Sequence, residues 1–296
     1  MRSITIGVFD GVHLGHSYIA KKTVECAKLH HLTPTALIFA IPYKAMIAPQ
    51  RFDGLITTAD KRVKLLKALG IEEVIVKKLE DMVDLDPYDF IKMLVEDLNV
   101  KSIHVGHDFR FGKDALGDTK MLEMVSEKMK FSVNVIPKIV KDGNRVSSSL
   151  IRYELKRGRP EKASVYLGRH FCIEGEVFRE RGLGSKLGFP TANLKRPDPL
   201  LIVPRYGVYL VRTEIEGENM YGLLNVGKRP TTDEKKRDIT YEVHFIDKND
   251  LNLAGKYLHL ELLLFLREEK KFPSLSALKN AIFEDVKTAK AIIKDV

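Results

Sequence analysis

Through the first half of the chain, short runs of β-branched and aliphatic residues alternate with stretches whose apolar positions recur at helical spacing. Extended segments are expected at Ile4 to Phe9, Thr35 to Ile41, Glu73 to Val76, Ser102 to Val105 and Phe131 to Ile136. Between them, Thr57 or Thr58 is placed to cap a helix with an apolar face of Val63, Leu66 and Leu69, stopped at Gly70. Asp86-Pro87 opens another, followed by Phe90, Ile91, Leu94, Val95 and Leu98. This βαβα alternation predicts an α/β domain whose parallel sheet is covered on both faces, with its ligand site at the carboxyl ends of the strands.

After Val146-Ser147-Ser148-Ser149 a basic helical stretch runs to about Leu167, and then the pattern changes. Strand-like runs follow at Phe171 to Phe178, Gly207 to Glu214, Gly222 to Val226, Thr240 to Ile246 and Tyr257 to Leu266, separated by Gly, Pro, Asn and Asp. That spacing predicts an antiparallel β-barrel. A C-terminal helix closes the chain, with Ser274 as N-cap and Leu275, Leu278, Ile282, Val286 and Ala289 on one stripe. Two domains are therefore expected, at residues 1–160 and 161–296.

Composition narrows the function classes. Apolar residues at 44% supply enough surface for real cores, and no apolar run approaches membrane-spanning length. The only cysteines, Cys26 and Cys172, lack metal-ligand spacing and point to a reducing compartment, so a cytoplasmic protein is expected. A net charge of +9, from 49 basic and 40 acidic residues, favours anionic ligands such as nucleotides. Tracts such as Asp233 to Asp238 mix signs, and no aromatic-rich strand motif of the RNA-stacking kind is present. Small-molecule partners are expected, with no nucleic acid and no membrane, in a monomer or weak oligomer.

The chemistry begins where the first strand ends. In Gly7-Val8-Phe9-Asp10-Gly11-Val12-His13-Leu14-Gly15-His16 the glycines let backbone approach a phosphate, and the following helix start offers free N–H groups. His13 and His16 lie within one turn and are placed to donate to charge developing on an α-phosphorus. The alternative is that they only cap or pack the turn. This run resembles the His-x-x-His (HxGH-type) nucleotidyltransferases, Rossmann-like α/β proteins, and in particular their flavin-adenylating branch. Gly106-His107-Asp108-Phe109-Arg110-Phe111-Gly112 is similar to that branch's segment at the nucleotide cleft. Ser147-Ser148-Ser149 with Arg152 is similar to its Ser-Ser-Thr-x-Ile-Arg segment, a helix start whose hydroxyls and guanidinium suit phosphate. The resemblance implies nucleotide contacts from Gly7, Phe9, Asp10, Gly11, Gly15, Gly106, Asp108, Ser147, Ser148 and Ser149, with His13, His16 and Arg152 catalytic. The chain departs from the family at Ile38-Phe39-Ala40-Ile41-Pro42-Tyr43, where a Thr-Phe-x-Pro-His-Pro segment is usual.

In the second half, Gly182-Leu183-Gly184-Ser185-Lys186-Leu187-Gly188-Phe189-Pro190-Thr191-Ala192-Asn193 combines phosphate-compatible glycines with a lysine. Thr191 and Asn193, two apart on extended chain, offer hard oxygen donors suited to Mg²⁺ carried by ATP. A long hairpin loop with a rigid exit is the other reading of these residues. The Leu187 to Asn193 portion resembles the riboflavin kinase family, as do Pro204 to Tyr209, Asn225 to Thr231, Glu242-Val243-His244 and Arg267 to Phe272. That resemblance implies nucleotide contacts from Lys186, Gly188, Pro190, Thr191 and Asn193. It further implies Thr191 and Asn193 as metal ligands, Glu242 as catalytic base, and flavin contacts from Arg267 and Phe272. In this order the two halves resemble bacterial bifunctional riboflavin kinase/FAD synthetases, whose activities convert riboflavin to FMN and FMN to FAD with ATP and Mg²⁺. A chain with only one active module is the alternative.

Overall fold

A computed structural model describes residues 1–178, 188–228, 239–248 and 251–294. The chain divides into two units, Met1–Leu150 with Tyr166–Gly168 and Leu200–Ile202, and Ile151–Val165 with Arg169–Pro199 and Val203–Val296.

The first unit carries β1 (Arg2–Gly7), α1 (Leu14–His30), β2 (Thr33–Phe39), α2 (Tyr43–Ile47), α3 (Ala59–Ala68), β3 (Glu73–Lys77), α4 (Pro87–Lys92) and β4 (Val100–Gly106). The two-residue strands β5 (Arg110–Phe111) and β6 (Gly117–Asp118), α5 (Thr119–Met129), β7 (Ser132–Ile136) and the hairpin β8 (Val140–Lys141) with β9 (Asn144–Arg145) follow. A parallel five-stranded sheet runs in the order β3-β2-β1-β4-β7. Successive strands travel outward from β1 to β3, then resume on its other side with β4. The direction therefore reverses between β1 and β4, which opens a crevice at their carboxyl ends.

Alternation along each strand feeds two cores. Ile4, Ile6, Leu37, Ile103 and Val105 pack with Ile91 and Leu94 on one face, while Ala36 and Ile38 meet Ala20, Val24 and Leu66 on the other. A small buried polar network joins β1, α1 and β4. Ser3 Oγ donates to the Thr23 carbonyl at 3.0 Å, and the Ser3 and Ser102 hydroxyls meet His104 Nε2 at 3.1 and 3.0 Å. Burial pushes the His104 imidazole from 6.5 down to about 4.

Helix starts follow the sequence chemistry. The Thr58 hydroxyl accepts from Lys61 N at 3.2 Å, and the Asp86 carboxylate from Tyr88 N at 2.8 Å. Beyond Lys92 the helix opened by Asp86 widens into a π-helical turn over Met93–Asp97, which keeps Leu94 in the core.

In the second half come α6 (Ser148–Lys156), α7 (Pro160–Leu167), β10 (Phe171–Phe178), β11 (Ala192–Lys195), β12 (Gly207–Ile215), β13 (Glu218–Lys228), β14 (Ile239–Phe245), β15 (Tyr257–Glu268) and α8 (Leu275–Lys294). Six strands close an antiparallel barrel in the order β10-β11-β14-β13-β12-β15. Tyr209, Val211, Leu224, Val226, Val243, Leu260 and Leu262 fill its interior. Val208, Leu210 and Leu223, on the opposite face, are covered by α8 through Ala289 and Val286. The Ser274 hydroxyl caps α8 by accepting from Ala277 N at 3.1 Å. Leu275 leaves the expected stripe: it is 55% exposed, and packing shifts to Val286, Ala289, Ile292 and Ile293.

Candidate functional sites

The turn from β1 into α1 is held under strain. Phe9, Gly11 and Val12 have φ of 54°, 81° and 40°, a region that a β-branched residue such as Val12 enters only when its surroundings over-determine it. Those surroundings are visible. The buried Asp10 carboxylate accepts from Ile56 N at 3.0 Å and Thr57 N at 3.1 Å, and Gly11 N donates to Thr57 Oγ1 at 3.0 Å. Ser148 Oγ donates to the Asp10 carbonyl at 2.9 Å, tying the start of α6 to the same turn.

His13 is the N-cap of α1, its Nδ1 accepting from His16 N at 3.3 Å, which leaves the ring proton on Nε2. The His13 and His16 rings stack with centroids 3.6 Å apart, and Phe9 lies 5.0 Å from His16. A Cβ on Gly15 would fall 3.1 Å from the His13 ring, so glycine makes room for it. Burial, helped by the neighbouring His13 and the Arg62 guanidinium, holds His16 well below the usual imidazole range. His16 is therefore neutral at physiological pH, and its buried Nδ1 has no hydrogen-bond partner among the described residues.

Both histidines line a cavity of about 280 Å³ in the crevice between β1 and β4. Gly7, Phe9, Gly15, Gly106, Asp108, Ser147 and Ser148 line it too, as do His107, Lys138 and Arg145, which the sequence reading did not select. Asp10 and Gly11 do not line it; they shape the turn behind it. Ser147 is the helix cap, accepting from Leu150 N at 3.2 Å, whereas Ser149 is exposed. Arg152 is half-buried one turn further along α6. Asp108 pairs with Arg145 on β9 at the cavity wall.

A second cavity of about 630 Å³ lies in the same unit, lined by Phe39, Tyr43, Met46, Met82, Phe90, Phe109 and Phe111. It shares Phe109 with the first. Phe90 and Phe109 stack on Phe111 with centroids at 5.1 and 5.5 Å. The segment that departs from the family pattern, Ile38 to Tyr43, supplies part of this wall through Phe39 and Tyr43. The aromatic residues alternating at 109 and 111 were the available signal for it.

In the barrel, register does the assembling. Asn193 on β11 pairs with Glu242 on β14, Glu242 with Asn225 on β13, Asn225 with Val208 on β12, and Val208 with Arg267 on β15. Directly opposed residues of an antiparallel ladder share a face with Cβ atoms about 5 Å apart. Asn193, Glu242, Asn225 and Arg267 thus form one polar row on the face that carries Val208. Thr191 lies two residues before Asn193, just ahead of β11. His244 supports the row from beside: its Nδ1–H donates to the Pro190 carbonyl at 3.0 Å, and Phe189 meets its ring edge-on at 5.2 Å. Gly188 is exposed at that turn with φ 86°. Arg267 is fixed by Asp285 of α8, with Nη2 2.7 Å from Oδ2, and lies 5.6 Å from the Phe272 ring. Lys186 lies outside the described residues. Asn225 is a residue of the row that sequence reasoning quoted without giving it a role.

A β1–β4 crevice bearing a stacked histidine pair at a helix start, and a closed barrel with a carboxylate among hard oxygen donors, define a two-unit nucleotide-dependent transferase. The family model described as FAD synthetase matches residues 1–150, and the one described as riboflavin kinase matches residues 167–293. Bifunctional riboflavin kinase/FMN adenylyltransferases of Pseudomonas fluorescens and Haemophilus influenzae are 35% and 33% identical, over 97% and 98% of this chain and 92% and 93% of theirs. A solved structure from Streptococcus pneumoniae named a macrolide-efflux protein superposes with a TM-score of 0.87 at 25% identity, over 98% of this chain and 94% of that one. The chain belongs to the bifunctional riboflavin kinase/FMN adenylyltransferase family. No helix among the described residues is long and apolar enough to cross a membrane.

Proposed function

We propose that the barrel phosphorylates riboflavin with ATP, giving FMN and ADP, and that the β1–β4 crevice adenylylates FMN with a second ATP, giving FAD and pyrophosphate. The observation that carries this reading is a nucleotide-compatible site in each unit, each on the segment that resembles the corresponding family.

In adenylyl transfer, a phosphate oxygen of FMN attacks the α-phosphorus of ATP and the bond to the β-phosphate oxygen breaks. The attacking phosphate is already anionic, so no base is needed. His13 and His16 donate Nε2–H groups to the oxygens where charge builds, and the α1 N-terminus adds its backbone N–H groups. Ser147, which caps α6, and Ser148 and Arg152 within it grip the phosphates, and Gly7, Gly15 and Gly106 let the nucleotide approach backbone. The aromatic second cavity suits the flavin ring. Catalysis here is positioning and charge stabilisation, supplied by groups already in place.

In the barrel, the riboflavin 5′-hydroxyl attacks the γ-phosphorus of ATP, ADP leaves, and Glu242 takes the hydroxyl proton. The donor set of Thr191 hydroxyl, Asn193 amide oxygen and Glu242 carboxylate is all hard oxygen, which fits Mg²⁺. Thr191 and Asn193 would hold the ion, which when bound offsets phosphate charge. Gly188, Pro190 and Lys186 contact the nucleotide. Arg267 and Phe272 contact the flavin.

The test is purified chain with riboflavin, ATP and Mg²⁺, the flavins being separated by chromatography. FMN followed by FAD is expected; absence of both sinks the reading. A second reading, kinase activity alone, rests on the Ile38 to Tyr43 departure. Supplying FMN and ATP directly separates the two, since FAD formation excludes it.

A further inference from the structure

Arg62 is the one fully buried arginine among the described residues, at 0% exposure. It occupies the inner face of α3 one turn before Leu66, a place the helical pattern would fill with an apolar residue. Burying a guanidinium is costly unless its donors are matched, and those of Arg62 meet backbone carbonyls. Nη1 donates to the Val8 carbonyl at 2.7 Å and the Phe39 carbonyl at 2.9 Å, Nη2 to the Ala40 carbonyl, and Nε to the Thr58 carbonyl at 3.3 Å.

Three of those carbonyls belong to the carboxyl ends of β1 and β2. Val8 stands between Gly7 and Phe9, both of which line the nucleotide cavity. Strand-end carbonyls carry partial negative charge, which an arriving triphosphate meets as repulsion. A buried cation on them reverses that local sign. Val8 also leads directly into the strained turn at Phe9 and Val12, so its carbonyl is an anchor for the backbone that presents His13 and His16. The charge reaches that centre, because Arg62 is among the groups that lower the His16 pKa, after burial and His13.

We propose that Arg62 is a positioning residue for adenylyl transfer, cancelling the Val8 carbonyl at the end of β1 beside the triphosphate and locking the turn that aims the two histidines. This rests on the adenylyltransferase reading above. It acts through backbone and field rather than by touching substrate.

Steady-state kinetics of the full chain test it, with Arg62→Met and Arg62→Lys. In FAD formation, Arg62→Met is expected to raise the KM for ATP about tenfold and lower kcat about tenfold, while the KM for FMN stays within about twofold. Arg62→Lys, which keeps a cation, recovers a large part of the loss. FMN formation from riboflavin is unchanged in both variants, and amide hydrogen exchange of β1 and β4 stays protected. Three results would overturn the proposal: wild-type-like ATP kinetics in Arg62→Met, equal increases in the KM for ATP and for FMN, or lost protection of β1 and β4, which would make Arg62 a folding residue. Failure of the unsubstituted chain to make FAD would instead remove the reading beneath it.

Discussion

His16 shows how a short motif acquires chemistry only from its surroundings. Its sequence neighbours predict a helix start; its burial against Phe9 and the stacked His13 make it a neutral donor. A ring titration by NMR should therefore place His16 well below 6.5, the value of a solvated imidazole. Titration near 6.5 would contradict the burial argument. His104 makes a parallel case without catalysis. Unfolded chains accept a proton at this residue between pH 6.5 and about 4 and folded chains refuse it, so its contribution is complete above 6.5 and drains as pH falls toward 4. The difference amounts to about 3 kcal/mol. Urea unfolding should show His104→Gln less stable than the unsubstituted chain at pH 7, with the gap closing by pH 4.5; a gap independent of pH would refute it.

At the scale of elements, what was legible depended on length and period. Phe171–Phe178 was readable to the residue because its burial alternates along all of its length. The strand β11 is four residues long, too short to show a period, and was seen only as an extended loop exit. Registers are invisible in a single sequence, so the alignment of Asn225 with Glu242 could not be foreseen although both residues were noticed. That alignment predicts that Asn225→Ala lowers kcat for FMN formation about tenfold by loosening the carboxylate opposite it, with FAD formation from FMN unaffected. An unchanged kcat would count against the row. Asp10 shows a structural role that its place in the motif does not announce. A carboxylate inside a phosphate motif reads as a ligand, yet its oxygens are taken by backbone N–H groups of residues 56 and 57. Asp10→Ala should destabilise the first unit by about 3 kcal/mol, since it strands those buried donors. A thermal melt in which the first unit unfolds at its usual temperature would contradict this.

For the whole molecule, the positive charge legible in composition says only that anions are favoured, whereas the family of each unit names riboflavin, FMN and ATP. Each unit has its own sheet, core and polar site, and the two reactions differ in whether a proton must be removed. Adenylyl transfer starts from an anion and needs donors; phosphorylation starts from an alcohol and needs a base. In the proposed reading that difference is concentrated in His16 and Glu242, and a crossed assay of both variants tests it most directly. Purified His16→Ala and Glu242→Ala chains are each supplied with riboflavin and, separately, with FMN, in ATP and Mg²⁺. His16→Ala should make FMN at the usual rate and lose FAD formation by about 10²-fold or more, while Glu242→Ala should lose FMN formation and still convert supplied FMN to FAD. Equal loss of both activities in either variant would contradict two separate sites.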